Sequence, residues 1–253
     1  MIRRLAQTIA LFMVLGLAPF STVASSERVE SFHSDINVDA DGSMLVEETI
    51  SVVAAGNLIR RGIYREFPTT YKDRHGNVVK VRFEIVSISR NGNTEPWHLK
   101  NHRNGVRVYI GSKNSLLQPG RYTYSILYKT DRQIGFFEER DELYWNVTGL
   151  GWDFIIDSAS ARVHLPGEVA SDAISMEGYT GARGSRGQDY AVNTANSSAS
   201  IHTTRALGPH QGLTLAMSWP KGVVAELSQW QKVRFVLQRL NQHRLSRHNV
   251  LRV

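Results

Sequence analysis

Residues 141–154 read DELYWNVTGLGWDF, and the order of apolar and polar side chains predicts a β-strand that runs into a corner. Leu143, Trp145 and Val147 recur at every second position, which is the period of a strand with one buried face. Two glycines follow, and glycine permits the backbone conformations of a sharp turn. The stretch therefore predicts a β fold, and it leaves open whether its aromatic rings fill a core or face a ligand.

The same two-residue period recurs along the chain from Glu27 to Pro220. Turn sequences such as Asp41-Gly42 and Asn91-Gly92 separate these short alternating runs. Many short strands at this spacing predict an all-β chain. We expect an antiparallel immunoglobulin-like sandwich, elaborated or doubled.

The first residues have the layout of a secretory signal peptide. Arg3 and Arg4 precede an apolar run from Leu5 to Phe20, and small residues lead to a cleavage position between Ala24 and Ser25. The apolar run is shorter than the about 20 residues that a membrane span needs. The sequence therefore predicts an exported chain whose signal helix is either removed or kept as a lipid-facing anchor.

Composition divides the chain into three parts and narrows the chemistry. Residues 1–24 are the predicted signal peptide, 25–224 the predicted extracytoplasmic β-sandwich domain, and 225–253 a basic tail. The chain has no cysteine, which excludes disulfides, thiol nucleophiles and cysteine zinc sites. About 200 residues are enough to build a core without cross-links.

The basic character of the chain comes from its two ends. The formal net charge is +7, of which the predicted signal peptide supplies +2 and the tail supplies +5, so residues 25–224 are neutral. A nucleic-acid-binding domain needs a basic cluster on its own surface. The sequence therefore argues against a nucleic-acid partner.

The tail has apolar residues at helical spacing, with basic residues between them. The apolar positions are Leu227, Trp230, Val233, Val236, Leu237 and Leu240. This pattern predicts either an amphipathic basic helix at a membrane surface or a poorly ordered terminus.

One candidate binding surface lies in the stretch RRGIYREFP, which contains Arg61, Tyr64 and Arg65. Arginines in such a group can hold an anionic ligand. The interpretation we favour is structural: Arg65 pairs with Glu66 or with the acidic run at 138–142, and stacks on Tyr64.

The second candidate surface consists of Tyr144 and Trp152. We expect Trp145 and Trp152 to pack in the core, because a tryptophan on a central strand or after a glycine corner is usually buried. Tyr144 lies on the opposite strand face and is predicted to be exposed. The alternative is that Tyr144 and Trp152 stack on a sugar in an open cleft.

Catalytic and metal-binding patterns are weak. Four acidic residues, Glu138, Glu139, Asp141 and Glu142, could supply paired carboxylates for a cell-wall glycosidase. A solvated acidic loop is the interpretation that we favour. The nine histidines are scattered, and neither a nucleophile elbow nor a phosphate loop is present. No cofactor or metal is predicted.

These observations favour a non-enzymatic exported domain that binds a protein partner or an envelope component. Proximity to a membrane follows from the signal segment and the tail. The expected location is the periplasm or the extracytoplasmic face of the inner membrane. A carbohydrate-binding module is the first alternative, and a cell-wall glycosidase is the second.

Three stretches together resemble the YciQ-like family of predicted bacterial membrane proteins. They are RRGIYREFPTTYKD, TYSILYKTDRQIGFFEERDELYWNVTG and GWDFIIDSASARVHLP. The resemblance covers residues 28–220 and implies an extracytoplasmic β-rich domain of unknown function, without assigned catalytic residues. Family members then continue into hydrophobic spans. Here no run of 18 apolar residues follows Phe20, so the chain is expected to be truncated or frameshifted near Gln238.

Overall fold

A computed structural model describes residues 26–72, 76 and 78–226, and the chain is all-β over this part. The one short helix in these residues is a 3-10 turn at Ser171–Ala173. The predicted signal helix, its cleavage position between Ala24 and Ser25, and the predicted tail helix from Leu227 onward lie outside the described residues. Within the described part, no helix has the length and apolar character needed to cross a membrane.

The strands are numbered in chain order. They are β1 Arg28–Val38, β2 Met44–Ala54, β3 Ile63–Pro68, β4 Thr70–Lys72, β5 Val78–Lys80, β6 Phe83–Arg90, β7 Asn93–Thr94, β8 Trp97–His102, β9 Gly105–Ile110, β10 Gly120–Thr130, β11 Ile134–Phe136, β12 Arg140–Asn146, β13 Ala159–His164, β14 Ser175–Gly181, β15 Tyr190–Ala195, β16 Ser198–Thr203 and β17 Gly212–Pro220.

These strands form four sheets. The largest has eight strands in the order β15-β16-β13-β1-β2-β10-β6-β7, and a second has the order β11-β12-β17-β14. A three-stranded sheet has the order β3-β9-β8, and β4 pairs with β5. Every strand pair is antiparallel except β1 with β13. The prediction of an all-β, mainly antiparallel chain is therefore confirmed.

Sequence alternation explains which faces are buried. On β2, Met44, Val46, Ile50 and Val52 are buried and belong to one continuous core cluster that draws on the three larger sheets. Short turns at the predicted Asp41-Gly42 and Asn91-Gly92 positions join β1 to β2 and β6 to β7. The three larger sheets therefore share one interior, which is mainly apolar.

The aromatic stretch at 141–154 belongs mainly to this core. Trp145 is buried, and Trp152 is 5% exposed, with its ring edge-on to Phe32 at 6.3 Å. The indole Nε1 of Trp152 donates a hydrogen bond to the Thr148 carbonyl at 2.8 Å. Tyr144 is 60% exposed, as its position on the opposite strand face predicts. Burial of both tryptophans is confirmed, and Trp152 cannot act as an exposed sugar platform.

A buried ion pair between Arg65 and Glu48 connects the sheets. The guanidinium Nε and Nη2 of Arg65 donate to the two carboxylate oxygens of Glu48 at 2.7 and 2.8 Å. Nη2 also donates to the Val147 carbonyl at 2.9 Å, and the Tyr128 hydroxyl donates to Glu48 at 3.2 Å. Arg65 lies on β3, Glu48 on β2 and Val147 just after β12, so one side chain links its own sheet to the eight-stranded sheet and to the end of a strand of the four-stranded sheet.

The predicted ion-pair partners of Arg65 are therefore wrong: it pairs with Glu48, and it reaches Glu66 only through the backbone carbonyl, at 3.5 Å. Alternation along β3 turns Arg65 inward with Ile63 and Phe67, whereas Tyr64 and Glu66 face outward. The guanidinium packs against the rings of Phe32 and Phe67, at 5.0 and 5.1 Å, and does not stack on Tyr64. An arginine enclosed in this way is unavailable as a surface contact for an anionic ligand.

The corner at Gly149 fits around this arginine. Gly149 has a φ of +73°, and a Cβ atom there would lie 2.7 Å from Nη1 of Arg65. A larger residue would therefore be strained by its backbone conformation and would also collide with the guanidinium.

Glu27 orders the loop that follows β2. Its carboxylate accepts hydrogen bonds from the backbone N–H groups of four loop residues, at distances from 2.7 to 3.2 Å. The donors are Ala55, Asn57, Leu58 and Ile59. Partial burial alone raises the pKa of Glu27, but the four hydrogen bonds outweigh it, and the net shift is downward.

Replacing one member of the buried ion pair should be strongly destabilising. Arg65→Met leaves the Glu48 carboxylate buried without a cation and should lower the free energy of unfolding by roughly 3–5 kcal/mol. The double variant Arg65→Met, Glu48→Leu should lose less than the sum of the two single losses. Urea unfolding of all four proteins measures this cycle, and additive losses would contradict a direct interaction.

Two aromatic residues close to each other in sequence should differ sharply in their effect on stability. Trp152→Ala should lower the free energy of unfolding by about 3–5 kcal/mol, because it empties a packed site. Tyr144→Ala should change the same quantity by no more than about 0.5 kcal/mol, because the ring is mostly in solvent. Thermal and urea unfolding measure both variants, and equal losses would contradict the burial described here.

The stability of the Glu27 contact should depend on pH. Because the pKa of Glu27 is lower in the folded chain than the unfolded value of 4.5, ionisation of this group stabilises the fold above pH 4.5. That stabilisation should disappear as the pH falls through the folded-state pKa. Urea unfolding between about pH 7 and pH 3 should therefore show a smaller acid-induced loss for Glu27→Gln than for the wild type. If the stability of the two proteins changed with pH in the same way, the proposed role of the Glu27 carboxylate in ordering this loop would be refuted.

Candidate binding groove

The structure brings four of the five predicted surface residues to one groove. Tyr64, Arg65, Tyr144 and Trp152 all line it, although Arg65 and Trp152 do so from buried positions. Arg61 is exposed, and it lies outside the groove in the loop between β2 and β3. Two separate parts of the sequence therefore contribute to one surface.

The groove has a volume of about 1180 Å³ and lies between the three-stranded sheet and the strands β12 and β14. Six side chains define it for the discussion that follows, and we call it the tyrosine groove. They are Tyr64, Arg107, Tyr144, Tyr179, Arg183 and Arg186.

Tyr144 and Tyr179 form an aromatic pair on the outer face of the four-stranded sheet. Their ring centroids lie 6.5 Å apart. The strand between them, β17, places Ala216 opposite Tyr144 and Thr214 opposite Tyr179. Small side chains therefore form the floor between two larger rings, an arrangement suited to contact with a flat or extended ligand.

Two arginines extend this surface toward the β14–β15 loop. Arg183 and Arg186 are exposed and line the groove. No ion-pair partner is recorded for either one among the residues that the structure describes. Their guanidinium groups can therefore bind a carboxylate or a phosphate without breaking an existing ion pair.

The opposite wall comes from the three-stranded sheet. Arg107 on β9 pairs with the Glu66 carboxylate, and its guanidinium lies over the Tyr64 ring at 4.4 Å. His102 Nε2 lies 3.0 Å from Glu66. The Tyr64 hydroxyl donates to the Gly151 carbonyl at 3.1 Å. This wall is held by its own contacts, so its shape does not depend on a ligand.

The surroundings of two groove tyrosines, Tyr64 and Tyr179, raise the pKa of their hydroxyl groups. Burial and the nearby Asp153 charge raise the pKa of Tyr64. The Tyr179 hydroxyl donates a hydrogen bond to the Glu177 carboxylate at 2.9 Å, and this bond raises the pKa of Tyr179. Partial burial lowers the pKa of Arg107, but hydrogen bonds to Tyr109 and Glu66 outweigh it, so its net shift is upward. Both tyrosines therefore present hydroxyl groups beside cationic arginines.

The two acidic residues on β12, Asp141 and Glu142, are not arranged as the facing carboxylates of a glycosidase. Asp141 is fully buried and bonds to Lys221 Nζ at 2.6 Å. Glu142 follows it on β12, so the two carboxylates point to opposite faces of the sheet. Glu138 and Glu139 are exposed in the turn before β12. In the described part of the chain, no group of three His, Asp or Glu side chains is placed to hold a metal ion.

Sequence reasoning missed Tyr179, Arg183, Arg186 and Arg107. Tyr179 lies on the strand face opposite to the buried residues Met176, Gly178 and Thr180. Its distance from Tyr144 depends on the strand order β12-β17-β14. Arg183 and Arg186 lie in a glycine- and serine-rich segment that has no periodic pattern. Local signals could suggest an exposed tyrosine, but they could not pair it with Tyr144.

Similar solved structures have low sequence identity to this chain. One is an M1 zinc metallopeptidase from Deinococcus radiodurans, at 12% identity and a TM-score of 0.42, over 75% of this chain and 42% of that one. Another is native leukotriene A4 hydrolase from Saccharomyces cerevisiae, at 9% identity and a TM-score of 0.44, over 76% and 29%. These values are too low to support an argument about function.

A curated relative is "Uncharacterized protein YciQ" of Escherichia coli (strain K12). It is 28% identical over 158 residues, which make up 62% of this chain and 25% of that protein. The matched region therefore represents only a quarter of the relative's length.

Residues 28–219 match the family described as "Predicted membrane protein (DUF2207) N-terminal domain". This range includes every strand of the fold except for the last residue of β17, and it contains the whole tyrosine groove. The resemblance seen in the three quoted stretches is thereby confirmed, and the chain belongs to the DUF2207 family of predicted membrane proteins through their N-terminal domain.

Proposed function

We propose that this chain is a non-enzymatic binding domain that holds a component of the bacterial envelope in the tyrosine groove. The observation that carries the proposal is the exposed ring of Tyr144, which lies beside Tyr179 over a floor of small residues. Exposed aromatic rings with neighbouring arginines are common among residues that contribute most to binding. The arginine pair favours a ligand that has an acidic group.

The location that we propose is the extracytoplasmic face of the inner membrane. The signal-like sequence at the N-terminus and membership of a family of predicted membrane proteins support it. We also propose that the four sheets are an elaborated immunoglobulin-like sandwich. The single core cluster shared by the sheets supports this assignment. The parallel pairing of β1 with β13 differs from a purely antiparallel sandwich.

A carbohydrate is a second candidate ligand for the same groove. Tyr144 and Tyr179 replace the predicted pair of Tyr144 and Trp152, because Trp152 is buried. Side-chain and backbone polar groups beside the rings, including the exposed amide of Asn146, can bond to hydroxyl groups. An acidic glycan would use the rings and the arginines together.

Loss of the Tyr144 ring should weaken binding by roughly ten- to thirtyfold, equivalent to about 1.4–2 kcal/mol. The full-length chain is tested for binding to components of a soluble envelope extract and to an array of bacterial glycans. Tyr144→Ala and Tyr179→Ala should each bind the recovered component more weakly, whereas Tyr144→Phe should bind it as the wild type does, because the ring face is preserved.

Phe137→Ala is the matched control, because Phe137 is an exposed aromatic residue that does not line the groove. Glycan-array signal lost with Tyr144→Ala would identify a sugar, and retention of a protein alone would identify a protein component. Binding that survives Tyr144→Ala and Tyr179→Ala together would refute the groove as the binding site.

A further inference from the structure

A second surface lies at the end of the domain where the described chain begins. Two loops meet there, residues 55–62 between β2 and β3, and residues 111–119 between β9 and β10. Both connect the eight-stranded sheet to the three-stranded sheet. We call this surface the leucine tip, after Leu58 and Leu116.

The two loops are firmly joined. Leu117 N donates to the Arg60 carbonyl at 2.8 Å. Gly62 and Gly111 allow the backbones to touch, since a Cβ atom on Gly62 would lie 1.8 Å from the Ile110 carbonyl oxygen. Glu27 holds the first loop through its four backbone hydrogen bonds. The shape of the leucine tip is therefore fixed by hydrogen bonds and by close backbone packing between the two loops.

Apolar side chains at the tip divide between the core and solvent. Ile59 is buried and Leu117 packs against the core, whereas their chain neighbours Leu58 and Leu116 are 67% and 56% exposed. Trp97 is a further exposed apolar side chain at this end, because β8 begins there and pairs Trp97 with Ile110. The tip thus presents separate leucines and a tryptophan to solvent from a rigid base.

The charges around these side chains are positive. Arg60, Arg61 and Lys113 are exposed, and no ion-pair partner is recorded for them among the described residues. The nearby acids are engaged: Glu30 bonds to Arg121, and Asp157 bonds to Arg28. Glu27 is saturated by backbone donors. Three cations therefore surround the exposed leucines without a compensating acid.

We propose that the leucine tip docks on an anionic lipid surface. Exposed leucine and tryptophan side chains enter the boundary between headgroups and acyl chains, while arginine and lysine bind anionic headgroups. The position of the apolar run Leu5–Phe20 supports a lipid partner. Only six residues separate Phe20 from Glu27, which limits their separation to about 25 Å. This surface is independent of the tyrosine groove.

The absence of cysteine allows a test that reports on one position of the full-length chain. Ser115→Cys places a polarity-sensitive fluorophore in the tip loop, and Thr194→Cys places it on the exposed edge strand β15 as a matched control. The probe surfaces are vesicles of pure phosphatidylcholine and vesicles that also contain phosphatidylglycerol. The expected result is a blue shift for the label at 115 on phosphatidylglycerol vesicles, with little change for the label at 194.

Removing the three basic side chains of the tip distinguishes vesicle binding by the tip from binding by other parts of the chain. The triple variant Arg60→Gln, Arg61→Gln, Lys113→Gln should reduce affinity for phosphatidylglycerol vesicles on the order of a hundredfold, since each basic residue near an anionic leaflet adds to binding. Phe137→Ala, a change outside both the tip and the groove, should leave the response unchanged. The readout does not depend on a ligand in the tyrosine groove, so failure of the groove proposal does not affect this test. Far-UV circular dichroism checks that each variant folds.

Three outcomes would overturn the proposal. The first is the absence of a blue shift at position 115 on anionic vesicles. The second is an equal shift at positions 115 and 194, which would indicate unspecific adsorption. The third is a shift that persists on phosphatidylcholine and in the triple variant, which would assign binding to the segment before Ser26.

Discussion

The contact between Arg65 and Glu48 is the constraint on which the arrangement of the sheets depends. A guanidinium and a carboxylate removed from water must satisfy each other, because a buried unpaired charge is very unfavourable. Arg65 also bonds to the Val147 carbonyl, so the three-stranded sheet and the end of β12 must both reach Glu48 on β2. Apolar packing alone would permit sliding between sheets, whereas bidentate hydrogen bonds have a narrow range of geometries.

The tyrosine groove follows from this constraint. With Arg65 turned inward, its chain neighbours Tyr64 and Glu66 must face outward, where Arg107 and His102 bind Glu66. The same alternation on β12 buries Trp145 and exposes Tyr144. A groove bounded by two sheets thus takes its rigid walls from side chains that already have partners. Tyr144, Arg183 and Arg186 remain available for a ligand.

The two ends of β1 differ in character. At its start, Glu27 orders a loop beside exposed leucines and unpaired cations. At its end, the hairpin after Val38 binds the last described residues through the bond from Ala225 N to the Ala40 carbonyl. The first described residues therefore lie at one end of β1 and the last described residues at the other. The strand between them is about 35 Å long. The leucine tip and the tyrosine groove have no lining residue in common.

The sequence alone determined the all-β class, the turns and the burial of Trp145 and Trp152, because these depend on two-residue periodicity and local turn chemistry. The family followed from a different source, the likeness of three stretches of the chain to the family. The sequence also places Glu48 and Arg65 at inward positions, on strand faces that are otherwise apolar. Only the tertiary structure decided that these two charges pair, that Tyr179 lies beside Tyr144, and that Arg61 belongs to another surface than Tyr64. The physical reason is that strand order and sheet packing join residues far apart in the chain, and periodicity specifies the face of a side chain but not its neighbour.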